Sequence, residues 1–206
     1  MRVNSPLSQK QIWILVLLWA VALACTVAGT RDRLTWAMET FPVFLASIAL
    51  LWTNKSFPLP RLVLFFIFLH GLVLILGGFY TYAEVPLGFW LQDVFGLARN
   101  PYDRIGHFMQ GFVPALVARE ILYRKVEIRR PGWLFFLVVC ICLAISACYE
   151  FIEWWAALLL NQGAEAFLGT QGDSWDTQWD MFLAGIGAVT AQLVIRQSEI
   201  RPKDQA

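Results

Sequence analysis

The chain has 206 residues, a formal net charge of +1, 58% hydrophobic residues and only 15% charged ones, with a mean hydropathy of +0.58. A soluble domain carries about a quarter charged residues, so this composition excludes an ordinary soluble globule, and with no basic patch no nucleic-acid partner is expected. The apolar residues come in blocks, and about 20 in a row cross the hydrocarbon of a bilayer.

Six such blocks follow one another. The first, 11–28 (QIWILVLLWAVALACTVA), is too long for a signal-peptide core and no small-residue cleavage site follows it, so it reads as a first spanning helix. The second and third are 35–52 and 62–80. The segment 81–104 mixes apolar and charged residues and reads as an amphipathic stretch at the interface. The fourth block, 105–122 (IGHFMQGFVPALVAREIL), is distinctly more polar; the fifth is 133–158 and the sixth 179–195. The blocks are continuous rather than alternating, and lipid admits only helices and closed barrels. The expected fold class is therefore all-α, a polytopic membrane protein with one integral domain over 1–206.

Basic residues orient the helices. With the N-terminus in the cytoplasm, that side holds Arg2, Lys10, Lys55, Arg61, Arg119, Arg124, Lys125, Arg129, Arg130, Arg196, Arg201 and Lys203, and the outer side only Arg31, Arg33, Arg99 and Arg104. Both termini are expected inside, in a bacterial inner membrane. The outer connection 159–178 is acidic, with Glu165, Asp173 and Asp176, and Asp173 reads as merely solvated. No internal repeat of the transporter kind is visible. Cys25, Cys140, Cys142 and Cys148 lie in apolar blocks without C-x-x-C spacing and read as packing residues.

This topology gathers the polar residues at one face. Residues three and four apart share a helix face, which aligns Asp103, His107, Gln110 and Pro114 on the fourth helix and Ser146, Glu150 and Glu153 on the fifth. On the sixth, Asp176 and Asp180 continue into a small-residue stripe, Ala184, Gly187 and Ala191, suited to close helix contact. Glu39 lies in the outer part of the second helix. Polar stripes facing lipid are costly, so they are expected to face one another.

Capping competes as an explanation. Thr177 with Asp180 has capping-box spacing, and Asn100–Pro101 with Asp103 reads as a helix start. Capping does not place Glu-x-x-Glu at a helix exit or His107 and Gln110 inside a helix. One histidine among carboxylates suits a divalent cation, Mg²⁺, Mn²⁺, Ca²⁺ or Zn²⁺. The candidate ligands are His107, Glu150, Glu153, Asp176, Asp180 and Asp103.

The motifs "NPYDRIGHFMQGFVPAL", "YEFIEWW" and "GTQGDSWDTQWDM" resemble the YjdF family of bacterial inner-membrane proteins, whose function is unknown. More remotely, the order D-x-x-x-H-F, E-x-x-E, D-x-x-x-D is similar to the VanZ-like membrane proteins. Asp103, Arg104, His107 and Phe108 occupy the first VanZ-like motif. Glu153 stands where Gln is usual, and Ala184 or Gly185 where a small polar residue is common. The resemblance implies a shared site rather than a known reaction.

Three functional readings remain open. In the first, a cation acts on a lipid or lipid-linked envelope molecule at the outer face. Glu150 or Glu153 then serves as base and His107 as acid or ligand. Arg104, Arg99 and Gln110 bind substrate, and Trp175 and Trp179, with Trp90, Trp154 and Trp155, set the depth of the site. In the second, the same cluster binds or transports an envelope lipid, drug or ion, with movement supplied by Gly71, Gly77 and Gly78 beside His70 and by a kink at Pro114. In the third, the cluster only fixes helix packing. Oligomeric state cannot be read from the residues.

Overall fold

A computed structural model describes residues 6–160 and 171–195. Among them are seven α-helices and no strand: α1 (Gln9–Val27), α2 (Arg33–Thr53), α3 (Arg61–Tyr80), α4 (Pro86–Phe95), α5 (Tyr102–Arg124), α6 (Pro131–Leu160) and α7 (Asp176–Val194). Every expected long helix is present, with bounds shifted by at most three residues, and α4 is the stretch expected to lie at the interface. Glu165, Arg2, Arg196, Arg201 and Lys203 lie outside the described residues. By length and composition, α1, α2, α3 and α6 suffice to cross a membrane. At 1.5 Å per residue α5 and α7 measure about 35 and 28 Å, but they carry the polar residues.

Local chemistry sets the helix starts. Ser8 and Gln11 form a reciprocal capping box at α1, and the Asp32 carboxylate accepts from the Leu34 and Thr35 amides at α2. Pro86 opens α4 and Gly96, at φ 61°, closes it in the left-handed conformation. Two expected caps are corrected. Helix α7 begins at Asp176 with Trp175 as cap residue and no side-chain cap bond, so Thr177 lies inside the helix. Helix α5 begins at Tyr102, with Pro101 as cap residue, while the Asn100 Oδ1 still accepts from the Tyr102 amide at 3.0 Å.

Hydrogen bonds establish which ends meet. Asn54 Nδ2 donates to Leu7 O and Arg124 Nη1 to Pro58 O at one end, where Arg119 Nη1 also caps α7 through Ile195 O at 2.6 Å. At the other end Thr30 donates to Gly78 O, Asn100 Nδ2 to Val85 O, and Tyr149 to Glu39. The second end carries the acids and is called the site end below.

The small-residue stripe behaves as expected. A Cβ added to Gly187 would collide with the Phe108 carbonyl oxygen, and one added to Gly111 with the Ala184 carbonyl oxygen. Backbone therefore meets backbone between α5 and α7, with Ala184, Ala188 and Ala191 fully buried beneath. The glycines of α3 are accounted for by packing: Gly71 receives the Trp19 ring and Gly77 the Tyr82 ring. Cys25, Cys140 and Cys148 are exposed, Cys142 is buried, and all four are free thiols.

Candidate functional site

The short distance between α5 and α7 brings Asp180 opposite His107. Asp103 stands one turn before His107 on α5, and Asp103, His107 and Asp180 each offer a donor atom within 4.8 Å of the others. His107 Nε2 is 3.5 Å from Asp103 Oδ1 and 3.7 Å from Asp180 Oδ2. Both separations exceed the 2.7–3.2 Å usual for N–H···O bonds. They match donors surrounding a common centre, since oxygen and nitrogen ligands about 2.0–2.6 Å from one cation stand up to about 4–5 Å apart.

The other ring nitrogen explains the orientation. His107 Nδ1 lies 3.2 Å from Gln110 Oε1, one turn along α5. With a proton on Nδ1 donated to that amide oxygen, the Nε2 lone pair faces the two carboxylates. All three residues are at most 9% exposed. Asp180 Oδ1 and the nearby Glu150 Oε1 are buried and without a hydrogen-bond partner among the described residues. Glu150 Oε1 is 4.0 Å from His107 Nδ1. Orphaned buried oxygens are costly, and a cation beside the Asp180 carboxylate would answer its Oδ1.

The six candidate ligands separate on this geometry. Asp103, His107 and Asp180 come together, with Glu150 at the edge. Asp176 is engaged by the Arg99 guanidinium. Glu153 lines a neighbouring cavity. The two arginines expected to meet substrate are occupied. Arg99 pairs with Asp103 at 3.8 Å and Asp173 at 3.7 Å as well as with Asp176. Arg104 pairs with Asp173 at 3.2 Å and lies 5.5 Å from the Trp179 ring centre. Asp173 is therefore the bridge between two guanidiniums, not a solvated bystander. Trp175 and Trp179 are 64% and 45% exposed and stand outside the cavity, as do Trp90, Trp154 and Trp155, which are also exposed. Gln110 orients the imidazole and also lines the cavity.

That cavity, about 140 Å³, adjoins His107 between α2, α3, α5 and α6. Its polar wall is formed by Glu39, His70, Tyr82, Gln110, Tyr149 and Glu153, together with Asp103 and His107, which it shares with the cluster above. Tyr149 donates to Glu39 Oε2 at 3.3 Å. Tyr82 enters because Thr81, at φ 66°, reverses the chain after α3, a costly conformation for a β-branched residue. Its ring then fills the space left by Gly77 and Gly106. Burial, with the Glu39 carboxylate nearby, pushes the Tyr82 phenol up from its usual value, so it remains a protonated donor. No spacing in the sequence points to Tyr82 or Tyr149 as site residues; Glu39 carries one signal, an acid in the outer part of an apolar helix.

Residues 11–199 match the family model described as "Predicted membrane protein (DUF2238)". The chain is 54% identical over 179 residues to inner membrane protein YjdF of Escherichia coli (strain K12), covering 87% of this chain and 86% of that protein. The chain belongs to this family. Membership makes it an inner-membrane type of protein with several apolar helices, and the YjdF motifs quoted above fall within the aligned family region. Neither the family model nor this relative shows the likeness to the VanZ-like proteins. No solved structure matches the chain.

Proposed function

We propose that this YjdF-family member holds a divalent cation between Asp103, His107 and Asp180, and uses it on a lipid or lipid-linked envelope molecule at the outer face of the inner membrane. In this reading α1, α2, α3, α5, α6 and α7 all span as one domain, with both termini in the cytoplasm. The basic residues support that orientation, since Lys10, Lys55, Arg61, Arg124, Lys125, Arg129 and Arg130 fall at or beyond the end opposite the site.

One observation carries the reading. The imidazole held by Gln110 aims a nitrogen between two buried carboxylates at 3.5 and 3.7 Å. Three electron-rich atoms facing one point inside an apolar bundle repel one another until a positive charge sits there. A bound cation supplies Lewis acidity and lowers the pKa of a coordinated water. Within the protein, Glu150 is placed to receive a proton beside His107, and the exposed tryptophans mark the interfacial depth from which a lipid-linked molecule would enter.

The expected result is a rise in melting temperature of the detergent-purified protein when Mn²⁺ is added. Stabilisation reaches about 2.7 kcal/mol when free cation exceeds its dissociation constant about 100-fold. Asp180→Asn and His107→Ala should each abolish that rise while still giving a cooperative melt in the absence of Mn²⁺. An equal Mn²⁺ response in wild type and both variants would remove the site.

A further inference from the structure

This end of the bundle holds more carboxyl groups than one divalent ion can neutralise, and where they lie points to what else binds. Asp103, Asp180, Glu150, Glu39 and Glu153 are five carboxylates carried on the membrane-directed helices α2, α5, α6 and α7. The guanidiniums of Arg99 and Arg104 are engaged by Asp173 and Asp176, and Arg99 also approaches Asp103 of this group at 3.8 Å. A divalent ion at His107 would offset two charges. Of the other carboxylates, Glu39 from α2 and Glu153 from α6 both line the cavity.

Among the described residues, the wall of that cavity contains carboxyl groups, the phenols of Tyr82 and Tyr149, an amide and imidazoles, but no lysine or arginine. This composition is unfavourable to phosphate, which is recognised by guanidinium and ammonium groups. It suits a positively charged nitrogen, which carboxylates neutralise and tyrosine faces attract. His70 adds a buried Nε2 with no partner among the described residues, a spare hydrogen-bonding group in the same wall. At about 30 Å³ for each water of liquid, a cavity of about 140 Å³ holds roughly four or five waters, or a group with that many heavy atoms.

We infer that the cavity beside His107 receives an alkylammonium group, either the aminated headgroup of a lipid or a small free amine. The inference rests on the proposed cation site for its neighbour, and it assigns the substrate class of that site as aminated rather than phosphate-led. An amine in this cavity would be a direct neighbour of the cation, since Asp103 and His107 belong to both.

The test uses the full chain in detergent, with ethanolamine, glycerol and inorganic phosphate as probes in saturation-transfer NMR. Saturable ethanolamine binding, at least tenfold stronger than that of glycerol or phosphate, supports the inference. So does an at least tenfold loss in Glu39→Gln, provided the variant melts normally and retains its Mn²⁺ response. Native mass spectrometry then separates the two sources. Enrichment of phosphatidylethanolamine over phosphatidylglycerol in wild type but not in Glu39→Gln identifies a lipid headgroup, and ethanolamine binding without that enrichment identifies a free amine. If phosphate binds as well as ethanolamine, or if neither ethanolamine binding nor lipid enrichment is seen, the inference is overturned. The Mn²⁺ response of wild type separately reports whether the cation site itself stands.

Discussion

Replacing Arg99 by methionine will destabilise the protein by about 3–5 kcal/mol, the usual cost of removing one partner from a buried ion pair. The guanidinium is 11% exposed and stands among Asp103, Asp173 and Asp176. It therefore joins the start of α5 to the segment leading into α7. Its loss leaves three carboxylates close together, two of them on residues at most 9% exposed. Methionine conserves length and apolar bulk, so the effect reports charge rather than a cavity. Adding Asp176→Asn to Arg99→Met should recover part of the loss, because one of the stranded charges is removed with its partner. Thermal melts of the three proteins check this; a double variant no more stable than Arg99→Met would show that the pair is not coupled.

The second large effect is expected at the contact between α5 and α7 itself. Gly187→Val will prevent stable assembly of α5 on α7, because its Cβ falls on the Phe108 carbonyl oxygen, with the Phe112 amide nitrogen also within contact. Overpacking ordinarily costs about 1–3 kcal/mol. Here the obstacle is backbone, which cannot rotate away, so the upper end or beyond is expected. The readout is the fraction of monodisperse protein after purification, with Gly132→Val as a control at a glycine whose Cβ would meet nothing within 4 Å. Similar recoveries for the two variants would contradict the close approach. The consequence reaches the site, since Asp180 depends on this approach to stand 3.7 Å from His107.

Much of the architecture is legible from the sequence because lipid leaves so few choices. Apolar blocks of spanning length must be helices, and the polar stripes on α5, α6 and α7 are expected to face inward, which places Asp103, His107 and Asp180 on facing stripes together with Glu150, Glu153 and Asp176. Spacing does not decide which acid pairs with which base. Asp176 is one turn from Asp180, yet it is taken by Arg99, a residue in the connection before α5 whose reach no helical period describes. The cavity was hidden for a related reason. Tyr82 arrives through a single left-handed residue, Thr81, that leaves no pattern in the sequence. Tyr149 precedes Glu150 on α6 and reaches Glu39 from a different face of that helix. Local periodicity predicted the faces, and loop geometry determined the partners.

Elemental analysis decides whether a cation sits among Asp103, His107 and Asp180. The protein would be purified in detergent, equilibrated with micromolar Mg²⁺, Mn²⁺, Ca²⁺ and Zn²⁺ together, and freed of unbound ions. Close to one equivalent of a single divalent metal is expected in wild type, and less than a tenth of that in Asp180→Asn with its melt retained. A wild-type protein that is folded and metal-free, or an Asp180→Asn variant that keeps its full equivalent, would contradict the cation site.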